Sequence, residues 1–157
     1  MPAFEPHDYL DLAGDLAGRS NDAAFRSAVS RAYYAALLAS EAVAKKRFGI
    51  SCKAGDHEGF WIELRSKLRL VGDIGYSLRQ LRNHADYHLN FVPNEGWSEC
   101  AKGSVGRAKE LFGWLASADD AARLADRQRR DKEREVKNYY VRQNPVRPTL
   151  GRPKPKE

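Results

Sequence analysis

The chain has 157 residues, a net charge of +6, 42% hydrophobic residues and three tryptophans, a composition that excludes full disorder of the body. The charge is uneven. Residues 1–121 carry 15 basic and 16 acidic side chains, whereas residues 122–157 carry 12 basic and 5 acidic ones together with four of the seven prolines. This predicts a domain over residues 1–120 and a basic, Pro-rich, partly helical or disordered C-terminal arm over residues 121–157. No run approaches the roughly 18 apolar residues of a membrane helix, and the acidic start MPAFEPHDYLDLAGD lacks the charged-then-apolar pattern of an export signal. A cytoplasmic protein without a membrane partner is therefore expected. Cys52 and Cys100 have no CxxC spacing and read as free thiols.

Helical periodicity runs through the body, and no segment shows sustained period-2 alternation. The first helix is predicted over about residues 5–18, with Tyr9, Leu10, Ala13, Leu16 and Ala17 on one stripe. Ser20 or Asn21 then caps a long helix over about 21–47, its apolar stripe marked by Phe25, Val29, Ala32, Ala36, Ala39 and Val43 and its stop by Gly49. After a loop over 50–55, Asp56 caps a third helix bearing Trp61, Leu64 and Leu68. Gly72-Asp73 is expected to restart the chain into a fourth, with Ile74, Leu78, Leu81, Ala85 and Leu89 in register and Pro93, Asn94 and Gly96 as its break. A fifth spans about 98–117 and can extend through Tyr140, before Pro145, Pro148, Pro153 and Pro155 forbid helix. Gly103, Gly106 and Gly113 in that helix each cost about 1 kcal/mol relative to Ala. They read either as a close approach by a neighbouring helix or a dimer partner, or as a soft helix. The expected fold is all-α, an up-and-down bundle of four to five helices with a basic extension.

The chemistry concentrates in Arg82-Asn83-His84-Ala85-Asp86-Tyr87-His88. His84 and His88 stand at i and i+4, but two imidazoles fall short of the three or four ligands of a zinc site, and Ala85 stands where a zinc protease places its Glu base. No metal or other cofactor is expected. Phosphodiester chemistry suits the segment better, because an Arg stabilises charge growing on a phosphate and a His can move a proton at a ribose 2′-hydroxyl or a leaving 5′-oxygen. Arg82 and His88 lie about 120° apart on an ideal helix, so they converge only if the helix loosens or a second copy packs alongside. The plainest alternative is an Arg82–Asp86 ion pair at i and i+4 on a solvated face. A second cluster, Arg26 to Ala36, holds Arg26, Arg31, Tyr33 and Tyr34; the arginines and tyrosines suit nucleotide contacts, or a tyrosine is buried with its hydroxyl hydrogen-bonded.

Together the two clusters resemble small prokaryotic members of the HEPN superfamily, which carry Ser-Arg-x-Tyr-Tyr-Ala, as at Ser30–Ala35, and Arg-Asn-x-Ala-Asp-Tyr, as at Arg82–Tyr87. The resemblance spans roughly residues 8–117 and leaves out the arm. It implies a HEPN-like bundle and a ribonuclease signature of Arg, four to six residues and His, which Arg82, Asn83 and His88 match. The implied activity is a metal-independent endoribonuclease with RNA as substrate, its cleft formed where two copies meet in a homodimer. In it Arg82 stabilises the phosphate, His88 is general acid/base and Asn83 orients. His84, Asp86, Tyr87, Arg31 and Tyr34 are candidate substrate contacts. The resemblance further implies the toxin of a toxin–antitoxin or defence pair, with a minimal nucleotidyltransferase as antitoxin. A non-catalytic helical module that binds nucleic acid or protein through its basic arm, with Tyr139 and Tyr140 for stacking, is the competing expectation.

Overall fold

A computed structural model describes residues 5–143, and the side chains of residues 5–136. The Pro-rich end and the side chains of Tyr139 and Tyr140 lie outside the described residues. Five helices follow in order: α1 (Pro6–Ala17), α2 (Asp22–Phe48), α3 (His57–Arg65), α4 (Arg69–Tyr87) and α5 (Gly96–Gln143). No strand occurs among the described residues, so the fold is an all-helical bundle. None of the helices is long and apolar enough to cross a membrane. The chain divides into two units, residues 1–119 and 120–157.

In the first unit the cores follow the predicted stripes. The Asn21 side chain accepts from the Ala24 N–H at 2.9 Å and starts α2. Gly49, at φ 67°, ends it, with Ile50 N–H closing onto Ala44 C=O. α2 is buried on more than its predicted stripe: Ala28, Tyr33, Ala35, Leu37, Ser40 and Ala44 are covered as well. It is the central helix, packed on α1 and α4. Its many alanines let those neighbours come near on several sides. Asp56 caps α3 by accepting from Gly59 N–H at 2.9 Å. The first turns of α5 bury Trp97, Ala101, Ala108, Leu111 and Leu115 in the same core.

Two expectations change. Leu68 does not belong to α3, and Gly72-Asp73 does not start α4. The connection is only residues 66–68, with Leu68 N–H bonded to Leu64 C=O at 2.8 Å, and α4 begins at Arg69. Gly72 lets α4 pass against the Arg65 backbone, where a Cβ would collide, and Asp73 pairs instead with Arg65 at 2.6 Å. Leu89 leaves the apolar register and is 80% exposed, because α4 ends at Tyr87. Of the two readings of the α5 glycines, the structure of the single chain fits the soft helix. Nothing lies within 4 Å of where a Cβ would stand at Gly103, Gly106 or Gly113. The close approach occurs on α4 instead, where the Trp61 ring packs into the place a Gly75 side chain would fill.

The second unit is described over residues 120–143, the continuation of α5. Its sequence lacks Gly and Pro and is rich in Ala, Arg, Lys and Glu, which favours helix without a core. Its surface is almost entirely exposed, with Arg129 and Asp126 paired at 3.4 Å.

Candidate functional site

Arg82 is the most heavily bonded side chain of the singled-out segment. It points from α4 towards α2 and retains 13% side-chain exposure. Nε stands 2.6 Å from Asp86 Oδ2 as an ion pair, out of line for a hydrogen bond. Nη2 donates to the hydroxyls of Tyr34 (2.8 Å) and Tyr87 (3.0 Å), and Nη1 donates to Asn83 Oδ1 (3.3 Å). The guanidinium also sits over the Tyr87 and Tyr34 rings, at 4.9 and 5.4 Å. Ser30 Oγ donates to the same Asp86 oxygen at 3.2 Å. Burial opposes the charge on Arg82, but Tyr34, Asp86 and Tyr87 outweigh it, so its pKa rises above the ordinary value. The ion pair expected as the plain alternative is therefore present, built into a network that also joins the two sequence clusters.

The histidines occupy a different set of contacts. His88 caps the C-terminal end of α4, at φ −115° and ψ 80°, and is exposed. Its ring centroid lies 5.2 Å from that of His84, which stacks on Phe91 at 4.1 Å and 18°. His84 Nδ1 is buried without a hydrogen-bond partner. Of the predicted residues, Asn83, Asp86, Tyr87 and Tyr34 thus gather on Arg82, and His84 gathers on His88. Arg31 stands apart, over the Tyr9 ring at 5.7 Å, with Tyr9 in turn 6.4 Å from Tyr34. Among the described residues, no three His, Cys, Asp or Glu side chains are placed to share a metal ion.

Two residues organise this region through contacts that their sequence setting does not announce. Arg26 reaches from the start of α2 to the far end of α4. Its Nη1 donates to the carbonyls of Ala85 (3.2 Å) and His88 (3.3 Å), its Nη2 to those of Leu89 and Phe91 (both 2.9 Å), and its guanidinium lies 4.4 Å from the Trp97 ring. The Ala85 carbonyl lies in the last turn of α4 and the other three just beyond it, where no helical N–H follows, and Arg26 supplies the donors instead. The available signal was position: Arg26, Val29 and Tyr33 share one face of α2, so an arginine falls on a buried stripe.

The second is His57, at the start of α3. The Trp61 indole N–H donates to the Tyr33 oxygen at 3.4 Å, which leaves the Tyr33 hydroxyl proton for His57 Nδ1 at 2.9 Å. Burial pushes the Tyr33 pKa up to about 12, so the phenol stays protonated. Burial, then Arg82, then Arg79 hold the His57 pKa below its ordinary 6.5. The folded protein keeps this imidazole neutral, whereas the unfolded chain takes up a proton below pH 6.5, so stability is present above that pH and falls as pH drops through it. Urea midpoints near pH 7.5 and pH 5 should show this loss, and His57→Gln should reduce it. An unchanged pH dependence in the variant would remove His57 as its source.

Both cysteines are free. Cys100 is buried, its thiol donates to Glu95 Oε1 at 3.1 Å, and burial raises its pKa to about 12. It lines a cleft of about 390 Å³ between α4 and α5 that also includes His84 and Phe91.

No family model, curated protein or solved structure matches the chain.

Proposed function

We propose that the protein is a small HEPN-superfamily domain that cleaves RNA without a metal ion, as a homodimer, and serves as the toxin partner of a nucleotidyltransferase antitoxin. One observation carries this. The two clusters behind the resemblance meet at one point, where Ser30 and Tyr34 bond to Asp86 and Arg82. The network keeps Arg82 charged and oriented, and Nη1 keeps one N–H outside its bonds within the chain. That group can bind a phosphate oxygen.

The chemistry needs only an Arg and His residues. A neutral imidazole takes the proton of the ribose 2′-hydroxyl, the 2′-oxygen attacks the phosphorus, and the P–O5′ bond breaks. A protonated imidazole gives its proton to the departing 5′-oxygen. The products are a 2′,3′-cyclic phosphate and a 5′-hydroxyl end. His88 is exposed at the end of its helix, where a substrate can reach its ring. Arg82 and His88 have different contacts within one chain, so a second copy completes the pair. Tyr87 and Val92, 66% and 67% exposed beside His88, give that copy an apolar surface to cover.

Purified protein should cut single-stranded RNA in EDTA and leave cyclic phosphate ends, while His88→Ala should lose about 10²- to 10⁴-fold in rate, the usual worth of a general acid–base group. Equal rates in both proteins would end the catalytic assignment. A non-catalytic nucleic-acid- or protein-binding module would then be the better reading, since Arg82 already has partners within its own chain.

A further inference from the structure

We infer that the cleft between α4 and α5 is a binding site for a guanine base of the RNA. This rests on the ribonuclease reading for its biological setting, but the geometry stands apart from it. Glu99, Gly103 and Arg107 repeat every four residues, so they lie along one face of α5. Nothing stands within 4 Å of a Cβ position on Gly103. The face therefore presents a carboxylate, a bare notch and a guanidinium in a row, their Cα atoms spanning about 12 Å along the axis. Glu99 Oε1 holds Lys102 at 2.8 Å and Arg107 Nη1 donates to Ser77 Oγ at 2.9 Å, which leaves Glu99 Oε2 and Arg107 Nη2 for a ligand. Glu99, Gly103 and Arg107 line the cleft, whose opposite wall carries His84 stacked on Phe91.

Two buried polar atoms in this wall and floor lack partners. Ser104 is 1% exposed, and its Oγ has no hydrogen bond; His84 Nδ1 has none either. Buried polar groups are normally satisfied. Ser104 lines the cleft, so a polar ring bound there can supply the missing partner.

The order of charges selects among the bases. Guanine presents two adjacent donors, N1–H and N2–H, which fit a carboxylate, and two adjacent acceptors, O6 and N7, which fit a guanidinium. Adenine offers an acceptor at N1 that a carboxylate repels, and pyrimidines lack the N7 acceptor. The volume of about 390 Å³ admits a nucleotide. His84 joins the cleft to His88, at 5.2 Å between rings. A guanine held here lies next to the proposed acid–base histidine.

The test is titration of the full chain with GMP, AMP, CMP and UMP, followed by amide shifts of residues 99–107, with ribose 5-phosphate as control. GMP should bind at least about tenfold more tightly than the others, the scale of one good bidentate contact. Gly103→Leu fills the notch, and replacing a helix-interior glycine favours the fold. It should reduce GMP affinity at least tenfold, as should Glu99→Gln. Equal binding of AMP and GMP, or unchanged GMP affinity in both variants, overturns the inference. If RNA is cut equally by the unmutated chain and Gly103→Leu, with no preference for guanine, the cleft fails and the ribonuclease stands. If GMP binds selectively and no RNA is cut, the guanine site stands and the ribonuclease fails.

Discussion

RNA cleavage should return to about a quarter of the unmutated level when Arg82→Gln and His88→Ala chains, each inactive alone, are mixed and allowed to exchange. In a two-fold dimer whose sites pair Arg82 of one protomer with the histidine of the other, half of the mixed population is heterodimer, and each heterodimer keeps one of two sites. The substitutions are chosen for the fold. Glutamine retains N–H groups for Tyr34 or Asp86, which Arg82 now holds at 2.8 and 2.6 Å, and His88 is exposed at a helix end. Each variant alone should fall about 10²-fold or further. A mixture shown by native mass spectrometry to contain heterodimers, yet inactive, would sink pairing between protomers. Activity of either variant alone would remove that residue from the chemistry.

Arg26→Ala should strongly destabilise the first unit. The guanidinium donates to four carbonyls, at 2.9 to 3.3 Å, and rests 4.4 Å from the Trp97 ring. Several of those carbonyls are near solvent and will recover water, so the net loss is far below four full hydrogen bonds. Taking about 0.5–1 kcal/mol for each, plus about 0.5–1 kcal/mol for the cation–π contact, gives about 2.5–5 kcal/mol. In a domain of this size Tm should fall by about 10 °C. Arg26→Lys should recover little of it, because an ammonium lacks the planar fork that spans two pairs of carbonyls. Hydrogen exchange should locate the damage at amides 86–97. A Tm loss under about 2 °C would show that the carbonyls are served equally well by water.

Helix number and the caps at Asn21, Gly49 and Asp56 were legible in the sequence because each depends on local chemistry. So was the crowding of chemistry into Arg82–His88. What local patterning could not give was where separate segments touch. Gly103, Gly106 and Gly113 drew notice as costly residues within a helix, yet the glycines that another segment presses against are Gly72 and Gly75. Gly72 even read as a helix start, since a Gly-Asp pair usually marks a break. Likewise Arg26 and His57 act on residues 24 to 65 positions away. Periodicity carries no information at that range. The network on Arg82 was half visible: its i, i+4 partner Asp86 followed from spacing, whereas Tyr34, 48 residues distant, required the packing of α2 on α4.

The seating of Trp61 in the notch at Gly75 has a consequence for how the sequence can change over time. A methyl group at position 75 collides with the indole, and a smaller residue at 61 alone leaves a void and removes the donor to Tyr33. Neither position has an acceptable single step away from its present residue, so the two must be exchanged together or not at all. Homologues that keep this packing should hold the pair as one inherited unit, while the surface between them drifts.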